Sequence, residues 1–415
     1  MDRVRVAVLV DLPREVASGG HVKYWERVAQ AAAKQGSPID MTVYFSGTGA
    51  DEILSPHVRY RFLPPVFSTA RLKFLPYVPA HTDLARFHPA LAEQLPAYDI
   101  IHTTDACFAF ARTAERIARW NRIPLVTSFH TDTPAYTEVF TRQTLEHILG
   151  KKIGKFFAET FKIPTWERKQ KEKRLKTHLR ACAAILAMRN EDIALARSVA
   201  PYCAVRPMRL GVDMDLFNPA KADRARIEKQ YGIAPGKFLA LFVGRVDAGK
   251  NIPVLMQACA SAIARGANLH LIVAGLGPFS DEVKKTLGDK VTLAGWVEPP
   301  ELAHLYASAD CLTVASDIEI GGMIGLEALA SGCPVLVSRQ SDMAQICGNP
   351  VAMHMVESGV EPWVEALCTY TADQDRQKTM RAAALDFRRD NLASWSDVVE
   401  QDFIPAWHAA VEVKK

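Results

Sequence analysis

CLTVASDIEIGGMIGLEALASGCPVLVS, residues 311–338, is the stretch that decides the fold. An apolar run is followed by a polar loop with Glu319, the pair Gly321 and Gly322, a short helical segment with Glu327, and a second apolar run. This order predicts a strand, a loop, a helix and a parallel return strand, which together make one βαβ unit. Open α/β sheets bind ligands at the carboxyl ends of their strands, so the loop is a candidate ligand site. Anionic groups suit the helix start, because its first backbone N–H groups have no partner within the helix.

The two glutamates suit the recognition of a sugar. Glu319 and Glu327 are eight residues apart, so one can lie in the loop while the other lies about one turn into the helix, facing the same cavity. Carboxylates accept hydrogen bonds, and sugar rings offer several hydroxyl donors. Each glutamate alone can be explained as a solvated side chain. Their combination with the glycine pair and the run ALASGCPV favours a carbohydrate site.

This segment resembles the Glu-x7-Glu signature of retaining family-4 glycosyltransferases of the GT-B fold. Glu319, Gly322, Glu327 and residues 331–335 match that signature, whereas Gly321 stands where the family usually has Phe. The resemblance implies an α/β protein with two Rossmann-like, doubly wound parallel-sheet domains that face a central cleft. It also implies transfer of a sugar from a nucleotide diphosphate sugar to an acceptor hydroxyl, with retention at the anomeric carbon.

Length and composition favour two domains of ordinary size. The chain has 415 residues, of which 49% are hydrophobic and 23% charged, as in soluble globular proteins. It contains no apolar run long enough to span a membrane and enters a predicted strand almost at once, so we expect neither a spanning helix nor a signal peptide. Eight scattered cysteines without zinc spacing predict a reduced, cytoplasmic protein without a structural metal.

The first half of the chain alternates predicted strands with helices, which indicates a parallel sheet. Strands are predicted at residues 4–10, 41–45, 100–101, 125–128 and 183–187. Residues 11–18 are predicted as a loop before Gly19 and Gly20, which open a helix over residues 21–35. Glycines let the backbone approach a phosphate at a helix start, although the pair can also be a simple tight turn. The spacing is not that of a dinucleotide fold, which disfavours a dehydrogenase.

The segment SFHTDTPAY, residues 128–136, follows a predicted strand and carries two candidate polar groups. His130 can donate a hydrogen bond to a sugar hydroxyl, or it can be a buried structural histidine. The resemblance favours the first interpretation, since family members with lipid or sugar acceptors carry a similar motif here. Asp132 is explained equally well as a helix N-cap or as a ligand of acceptor hydroxyls.

Residues 137–162 form an amphipathic pattern, and a strongly basic stretch follows them. Residues 151–180 hold eleven Lys or Arg against three Glu. A basic amphipathic helix with aromatic residues predicts contact with an anionic membrane over residues 145–180, whereas the alternative is a core-packed helix followed by a solvated one. Nucleic-acid binding is disfavoured, because no recognition motif accompanies the charge. The expected membrane contacts are Lys151, Lys152, Lys155, Phe156 and Lys162.

The second half of the chain carries the candidate diphosphate site. A hinge is expected at residues 206–220, and the predicted strand 238–243 ends in GRVDAGKN. Arg245 and Lys250 leave that strand's carboxyl end and can converge on one diphosphate, since Arg offers a fork and Lys a mobile point charge. The alternative is a solvated surface pair. The predicted strand 269–274 ends in a glycine-rich GLGP turn, where the glycines allow close approach of a nucleotide.

The resemblance implies a set of site residues and a domain plan. The expected catalytic residues are His130, Arg245, Lys250 and Glu319. The expected donor-binding residues are Gly19, Gly20, Gly244, Gly275, Gly277, Gly321, Gly322, Met323 and Glu327. We expect an acceptor-side domain at residues 1–205, a nucleotide-sugar domain at 206–390 and a terminal helix at 391–415 that returns to the first domain.

A retaining hexosyltransferase without metal or other cofactor is therefore predicted, peripheral on the inner face of the cell membrane and acting on a lipid. The alternatives are a transferase that acts on a small sugar or metabolite, and a protein that binds sugar nucleotides without turnover. An epimerase is disfavoured, because no general acid and base pair stands in the expected place.

Overall fold

The computed structural model describes residues 3–15, 19–34, 38–69, 83–317, 322–343 and 351–412. The chain forms two compact units. Unit 1 comprises Met1–Arg209 and Trp395–Lys415, and unit 2 comprises Leu210–Ser394. The domain boundaries predicted from the sequence lie after residues 205 and 390, whereas the two units divide after Arg209 and Ser394.

Unit 1 is built on an eight-stranded sheet. Its strands are β1 (Val4–Pro13), β2 (Ile39–Ser46), β3 (Glu52–Ser55), β4 (Val58–Leu63), β5 (Ile100–Thr103), β6 (Leu125–Ser128), β7 (Ala184–Ala187) and β8 (Ala204–Pro207). Their order is β3-β4-β2-β1-β5-β6-β7-β8, and only the edge pair β3 and β4 is antiparallel. The central strand β1 is buried from residue 6 to residue 11, as its aliphatic run requires when helices cover both faces of a parallel sheet.

Helices connect these strands and cover the sheet. They are α1 (Gly20–Lys34), α2 (Pro89–Gln94), α3 (Ala109–Asn121), α4 (Thr133–Leu149), α5 (Lys151–Thr160), α6 (Ile163–Ala181) and α7 (Asn190–Val199). The terminal segment also belongs to unit 1 and consists of Trp395–Asp397, the π-helical turn Val398–Phe403 and the helix Ile404–Glu412. Its Phe403 packs against Trp25 of α1, with ring centroids 4.9 Å apart.

Unit 2 is built on a six-stranded parallel sheet. The strands of unit 2, including two outside this sheet, are β9 (Gly211–Val212), β10 (Phe238–Val243), β11 (Leu269–Ala274), β12 (Val291–Gly295), β13 (Cys311–Val314), β14 (Val335–Ser338), β15 (Met353–Val356) and β16 (Ala393–Ser394). The sheet order is β12-β11-β10-β13-β14-β15, while β9 and β16 pair separately. The helices are α8 (Arg224–Tyr231), α9 (Ile252–Ala264), α10 (Ser280–Leu287), α11 (Pro299–Ser308), α12 (Met323–Ala330), α13 (Val360–Ala372) and α14 (Gln374–Asn391).

The strand order reverses once in each parallel sheet. In unit 1 the reversal lies between β1 and β5, and in unit 2 between β10 and β13. Ligands of doubly wound folds bind outside the carboxyl ends of the strands at such points. The predicted α/β architecture with two doubly wound sheets is confirmed, and the βαβ unit of residues 311–338 appears as β13, α12 and β14 with parallel pairing.

The prediction of one amphipathic helix over residues 137–162 is wrong. Gly150, with φ of 80°, ends α4, and α5 turns back against it. The two helices pack closely, because a Cβ on Gly154 would lie 2.4 Å from the Cα of Glu146. The spacing of apolar residues is the same for one long helix and for a hairpin of two helices. In the sequence, only the glycines of this segment indicate the turn.

Two smaller differences concern the first sheet. The strand β1 continues to Pro13, where a loop from Asp11 is predicted, because its last residues still pair with β2. The predictions also miss three short strands, β3 and β4 at one edge of the sheet and β8 at the other. Edge strands carry a weak apolar signal, since only part of their surface is buried.

Candidate active site

The loop after β10 holds an exposed arginine at the reversal point of unit 2. Gly244 follows the strand, and the side chain of Arg245 is 78% exposed to solvent. Its Nη2 atom lies 3.0 Å from Oδ2 of Asp247. A single ion pair leaves most donors of a guanidinium available, so Arg245 can bind an anion from solution.

Lys250 belongs to the same loop. The residues Ala248–Lys250 form a 3-10 helical turn, in which Oδ1 of Asp247 accepts a hydrogen bond of 3.0 Å from the backbone N–H of Lys250. The lysine side chain folds back over the strand end, since its Cε lies 3.7 Å from the position that a Cβ on Gly244 would occupy. Asp247 therefore organises a loop that carries both cations.

This loop is fastened to the end of β13. Nδ2 of Asn251 donates a hydrogen bond of 3.1 Å to the carbonyl of Ala315, and Oγ of Ser316 donates one of 3.2 Å to the carbonyl of Gly249. We call residues 244–251 the cationic loop. It is thus held to the start of the β13–α12 loop. Arg245 and Lys250 stand where a doubly wound sheet binds its ligand.

Gly275 and Gly277 have a structural role in unit 2. A Cβ on Gly275 would lie 1.7 Å from the carbonyl oxygen of Gly244, and one on Gly277 would lie 2.3 Å from that of Val246. The backbone of the β11 loop therefore touches the backbone of the cationic loop. These glycines set the shape of the cationic loop, and their expected contact with the nucleotide stays a prediction.

The start of α12 supplies the remaining donor candidates of unit 2. Gly322 is the N-cap of α12 and is buried, and Met323 is its first residue. Glu327 is half-buried on the next turn and accepts a hydrogen bond of 3.3 Å from the hydroxyl of Tyr306. Glu319 and Gly321 lie outside the described residues, so their predicted roles in sugar and donor binding stay predictions.

A separate cavity of about 340 Å³ lies within unit 1 and is lined by His130. We call it the His130 cavity. Its charged lining residues are Asp105, Asp132, Arg168, Glu172, Lys176, Arg189 and Asp192. The lining comes from the loops after β5 and β6 and from the helices α4, α6 and α7. Charges of both signs and several hydroxyls make it suitable for a polar, hydroxylated molecule.

A chain of hydrogen bonds fixes the tautomer of His130. The indole N–H of Trp407 donates to Nδ1 of His102 at 2.9 Å, so the proton of His102 is on Nε2 and points to Oγ of Ser128 at 2.8 Å. The Ser128 hydroxyl can then donate to Nε2 of His130 at 2.8 Å, which also accepts from the indole N–H of Trp25 at 3.1 Å. Two donors on Nε2 leave Nδ1 as the protonated nitrogen of His130.

Burial keeps His130 neutral. Desolvation lowers its pKa well below the ordinary value, and the neighbouring His21 and His102 lower it further. The ring of His21 stacks on that of His130 with centroids 4.6 Å apart, and burial lowers the pKa of His21 to about 4. A neutral imidazole with its proton on Nδ1 is a hydrogen-bond donor for a sugar oxygen, and it is poorly suited to act as a cationic acid.

The remaining residues expected in unit 1 have simple environments. Oδ1 of Asp132 accepts a hydrogen bond of 3.0 Å from the N–H of Ala135 and caps α4, as one of the two interpretations predicts. Asp132 also lines the His130 cavity, so its role as an acceptor ligand stays a prediction. Gly19 and Gly20 are exposed at the start of α1, which leaves their backbone accessible.

Sequence reasoning missed most of the groups that hold His130. Ser128, His102 and Trp25 carry no motif, and Trp407 stands near the other end of the chain. Ser128 was open to prediction, because it ends the same strand that precedes His130. The others follow from tertiary packing alone.

The α4–α6 helices present a large apolar surface to solvent. The exposed apolar residues of these helices are Tyr136, Val139, Ile148, Leu149, Ile153, Phe156, Phe157 and Trp166, with Phe161 just after α5. The predicted membrane residue Phe156 is 58% exposed, and Lys155 and Lys162 are exposed beside it. The side chains of Lys151 and Lys152 lie outside the described part of the structure. Over the described ranges, no helix combines the length and apolar character needed to cross a bilayer.

Comparison with protein families matches both halves of the chain. Residues 18–216 match Glycosyltransferase Family 4, and residues 223–386 match Glycosyl transferases group 1. The first match lies within unit 1 and the start of unit 2, and the second lies within unit 2.

Curated relatives are similar over part of the chain. Sulfoquinovosyl transferase of Arabidopsis thaliana is 27% identical over 271 residues, which are 64% of this chain and 46% of that protein. D-inositol 3-phosphate glycosyltransferase of an Arthrobacter species is 32% identical over 213 residues, 49% of each protein. The chain spans about half the length of the curated relatives it matches.

Solved structures show the same fold over the whole chain. Sucrose-phosphate synthase of Thermosynechococcus elongatus superposes with a TM-score of 0.69 and 18% identity, covering 100% of both chains. HepE of Anabaena, solved with UDP and glucose, has a TM-score of 0.65 and 15% identity, covering 96% of this chain and 98% of that one. At these identities the likeness concerns the fold alone, which is the GT-B fold of glycosyltransferases.

Proposed function

This chain belongs to the glycosyltransferases, its halves matching Family 4 and group 1, and on that premise we propose that it transfers a hexose from a nucleotide diphosphate sugar to a hydroxyl of a membrane lipid. The observation that supports a lipid acceptor is that the same helices of unit 1 form both a polar cavity and an exposed apolar surface. The helices α4 and α6 line the polar His130 cavity, and the same helices with α5 form the exposed apolar and basic surface.

The donor's diphosphate binds at the loop of Arg245 and Lys250 in this proposal. The reaction breaks the bond between the anomeric carbon and a phosphate oxygen, so negative charge develops on the leaving diphosphate. Cations that are already in position stabilise that charge without reorganisation at the moment of reaction. Because Arg245 and Lys250 supply two positive charges, the reaction needs no metal ion, and a chelator should leave turnover unchanged.

The new bond forms between the anomeric carbon and the acceptor oxygen on the face that the phosphate leaves. The acceptor's proton passes to a phosphate oxygen of the leaving group, so no protein base is needed and the anomeric configuration is retained. Glu327 accepts hydrogen bonds from the ribose, whereas Glu319 and neutral His130 orient the sugar. Product analysis by NMR tests this step, because inversion at the anomeric carbon would contradict it.

A lipid acceptor suits the two surfaces of unit 1. Its polar head would enter the cavity of about 340 Å³, while the exposed aromatic side chains insert into the membrane interface and the lysines contact anionic lipids. The protein would then be peripheral on the inner, cytoplasmic face of the membrane. A small soluble acceptor would use the same cavity without the apolar surface.

Vesicle sedimentation tests the lipid acceptor. We expect the protein to sediment with vesicles that contain phosphatidylglycerol and to remain in solution with neutral ones. The double variant Ile153→Glu/Phe156→Glu should lose most of this binding, because both side chains are more than half exposed in α5. The matched control is Tyr202→Glu, which changes a fully exposed aromatic residue away from these helices. Full turnover on a soluble acceptor without vesicle binding would favour the small-acceptor alternative.

A further inference from the structure

A second, larger cavity of unit 1 lies on the other side of α6. Its volume is about 630 Å³, it opens to solvent, and it is lined by residues of α3 and α6, by the segment before α2 and by the start of β6. None of its described lining residues also lines the His130 cavity. Its charged lining residues are Arg86, Arg112, Glu115, Arg116, Arg119 and Arg174. We call it the arginine cavity.

Among the described lining residues there is one carboxylate, and it is already engaged. Oε2 of Glu115 accepts a hydrogen bond of 2.9 Å from Nη1 of Arg174, whose Nη2 lies 2.6 Å from Oε1. Nδ1 of His178 contacts the same Oε1. Glu115 therefore compensates Arg174, and four arginines of the lining have no ion pair among the described residues. They are Arg86, Arg112, Arg116 and Arg119.

Arg112 carries the clearest sign of a missing partner. Its Nε is buried and has no hydrogen-bond acceptor within the described structure. Burial lowers the pKa of Arg112, and the nearby charges of Arg174 and Arg86 lower it further. A buried N–H without an acceptor is unfavourable, and the repulsion between like charges adds to that cost. An anion in the cavity would relieve both.

Phosphate is the chemistry that matches this lining. A guanidinium presents a planar fork of donors that binds two oxygens of one phosphate, and several such forks around one cavity favour a ligand with more than one phosphate. The volume is that of a site for a small molecule or a lipid headgroup. We propose that the arginine cavity binds an anion that carries two or more phosphate groups, separately from the donor's diphosphate site in unit 2.

Calorimetry with inorganic pyrophosphate tests the site. The probe is also expected to bind at Lys250, so the full-length Lys250→Ala variant serves as the background. We expect this variant to bind pyrophosphate still, and to bind it at least tenfold more weakly when Arg112→Gln and Arg116→Gln are added. The matched control adds Arg180→Gln and Arg197→Gln, which remove two exposed charges of unit 1 outside the cavity and should change nothing.

Two results would overturn the proposal. One is a Lys250→Ala protein that does not bind pyrophosphate, and the other is equal affinity with and without the Arg112 and Arg116 substitutions. If that double variant fails to fold, Arg86→Gln/Arg119→Gln replaces it, because both side chains are exposed and tolerate change. Loss of transfer activity in Lys250→Ala concerns the donor site and leaves this test unaffected.

Vesicles distinguish the two sources of such phosphates. Binding to vesicles with phosphatidylinositol 4,5-bisphosphate that pyrophosphate displaces and Arg112→Gln/Arg116→Gln weakens would identify a lipid headgroup. Vesicle binding that neither pyrophosphate nor the double variant changes would identify a soluble anion, provided that the affinity for pyrophosphate still depends on the arginines. Both results support a phosphate site in the arginine cavity.

Discussion

The candidate sites of the two units hold their functional side chains in opposite ways. His130 is locked by hydrogen bonds from Ser128 and Trp25 and is kept neutral by burial. Arg245 extends into solvent with one carboxylate beside it. A group that orients a sugar must be fixed in advance, because its directional hydrogen bond is lost by a small rotation. A cation that neutralises a diphosphate acts over a longer range and can remain solvated until the ligand arrives.

The largest expected effect comes from removing a cation of unit 2. Lys250→Ala should lower turnover by about 100-fold or more, because the leaving diphosphate loses a positive charge. Lys237→Ala is the control, since that lysine bonds Asn268 at the other end of β10. Steady-state kinetics with the nucleotide sugar measure the difference. Unchanged turnover would favour a protein that binds sugar nucleotides without transferring the sugar.

Glycine substitutions in the two units should differ in their effect on the free energy of unfolding. Gly277→Ala should lower the free energy of unfolding by about 2 kcal/mol, because the added methyl group meets the backbone of Val246. Gly19→Ala should leave stability nearly unchanged, since no atom of the described residues beyond its chain neighbours lies within 4 Å of its Cβ position. Denaturant unfolding followed by circular dichroism measures both. Equal losses would show that the unit 1 turn is also set by packing.

Loosening His130 should have a smaller effect than removing a cation. Ser128→Ala should lower turnover about tenfold, because His130 loses one of the two donors that fix its ring. Ser128→Thr restores a hydroxyl and should restore most of the activity. The affinity for nucleoside diphosphate should not change in either variant. An equally low rate in Ser128→Thr would indicate a packing defect and not a lost donor.

The smallest expected effect is that of pH on the protonation of His130. Its pKa is held well below the usual value by burial, so the imidazole should stay neutral from pH 6 to pH 8. Nitrogen NMR of histidine-labelled protein should find the proton on Nδ1 and no titration over this range. A proton on Nε2, or a midpoint near the ordinary histidine value, would contradict the network of Ser128 and Trp25.

The sequence predicted features whose cause is local. The strands β6, β10 and β11 were predicted with the bounds that the structure has, because buried parallel strands are short aliphatic runs ended by polar or glycine residues. The placement of Arg245 and Lys250 in one loop also followed from the sequence, since both lie within a few residues of the end of β10. Such features need no knowledge of distant parts of the chain.

Other features were decided by the tertiary structure. The tautomer of His130 depends on Trp407, which is 305 residues from its partner His102 in the sequence. The arginine cavity joins Arg86, α3 and α6, and no motif connects those segments. The contact of Gly277 with Val246 is likewise a meeting of two loops. Hydrogen bonding, burial and charge compensation depend on which groups become neighbours in space, whereas strand and loop patterns depend on neighbours along the chain, and the sequence displays only the latter directly.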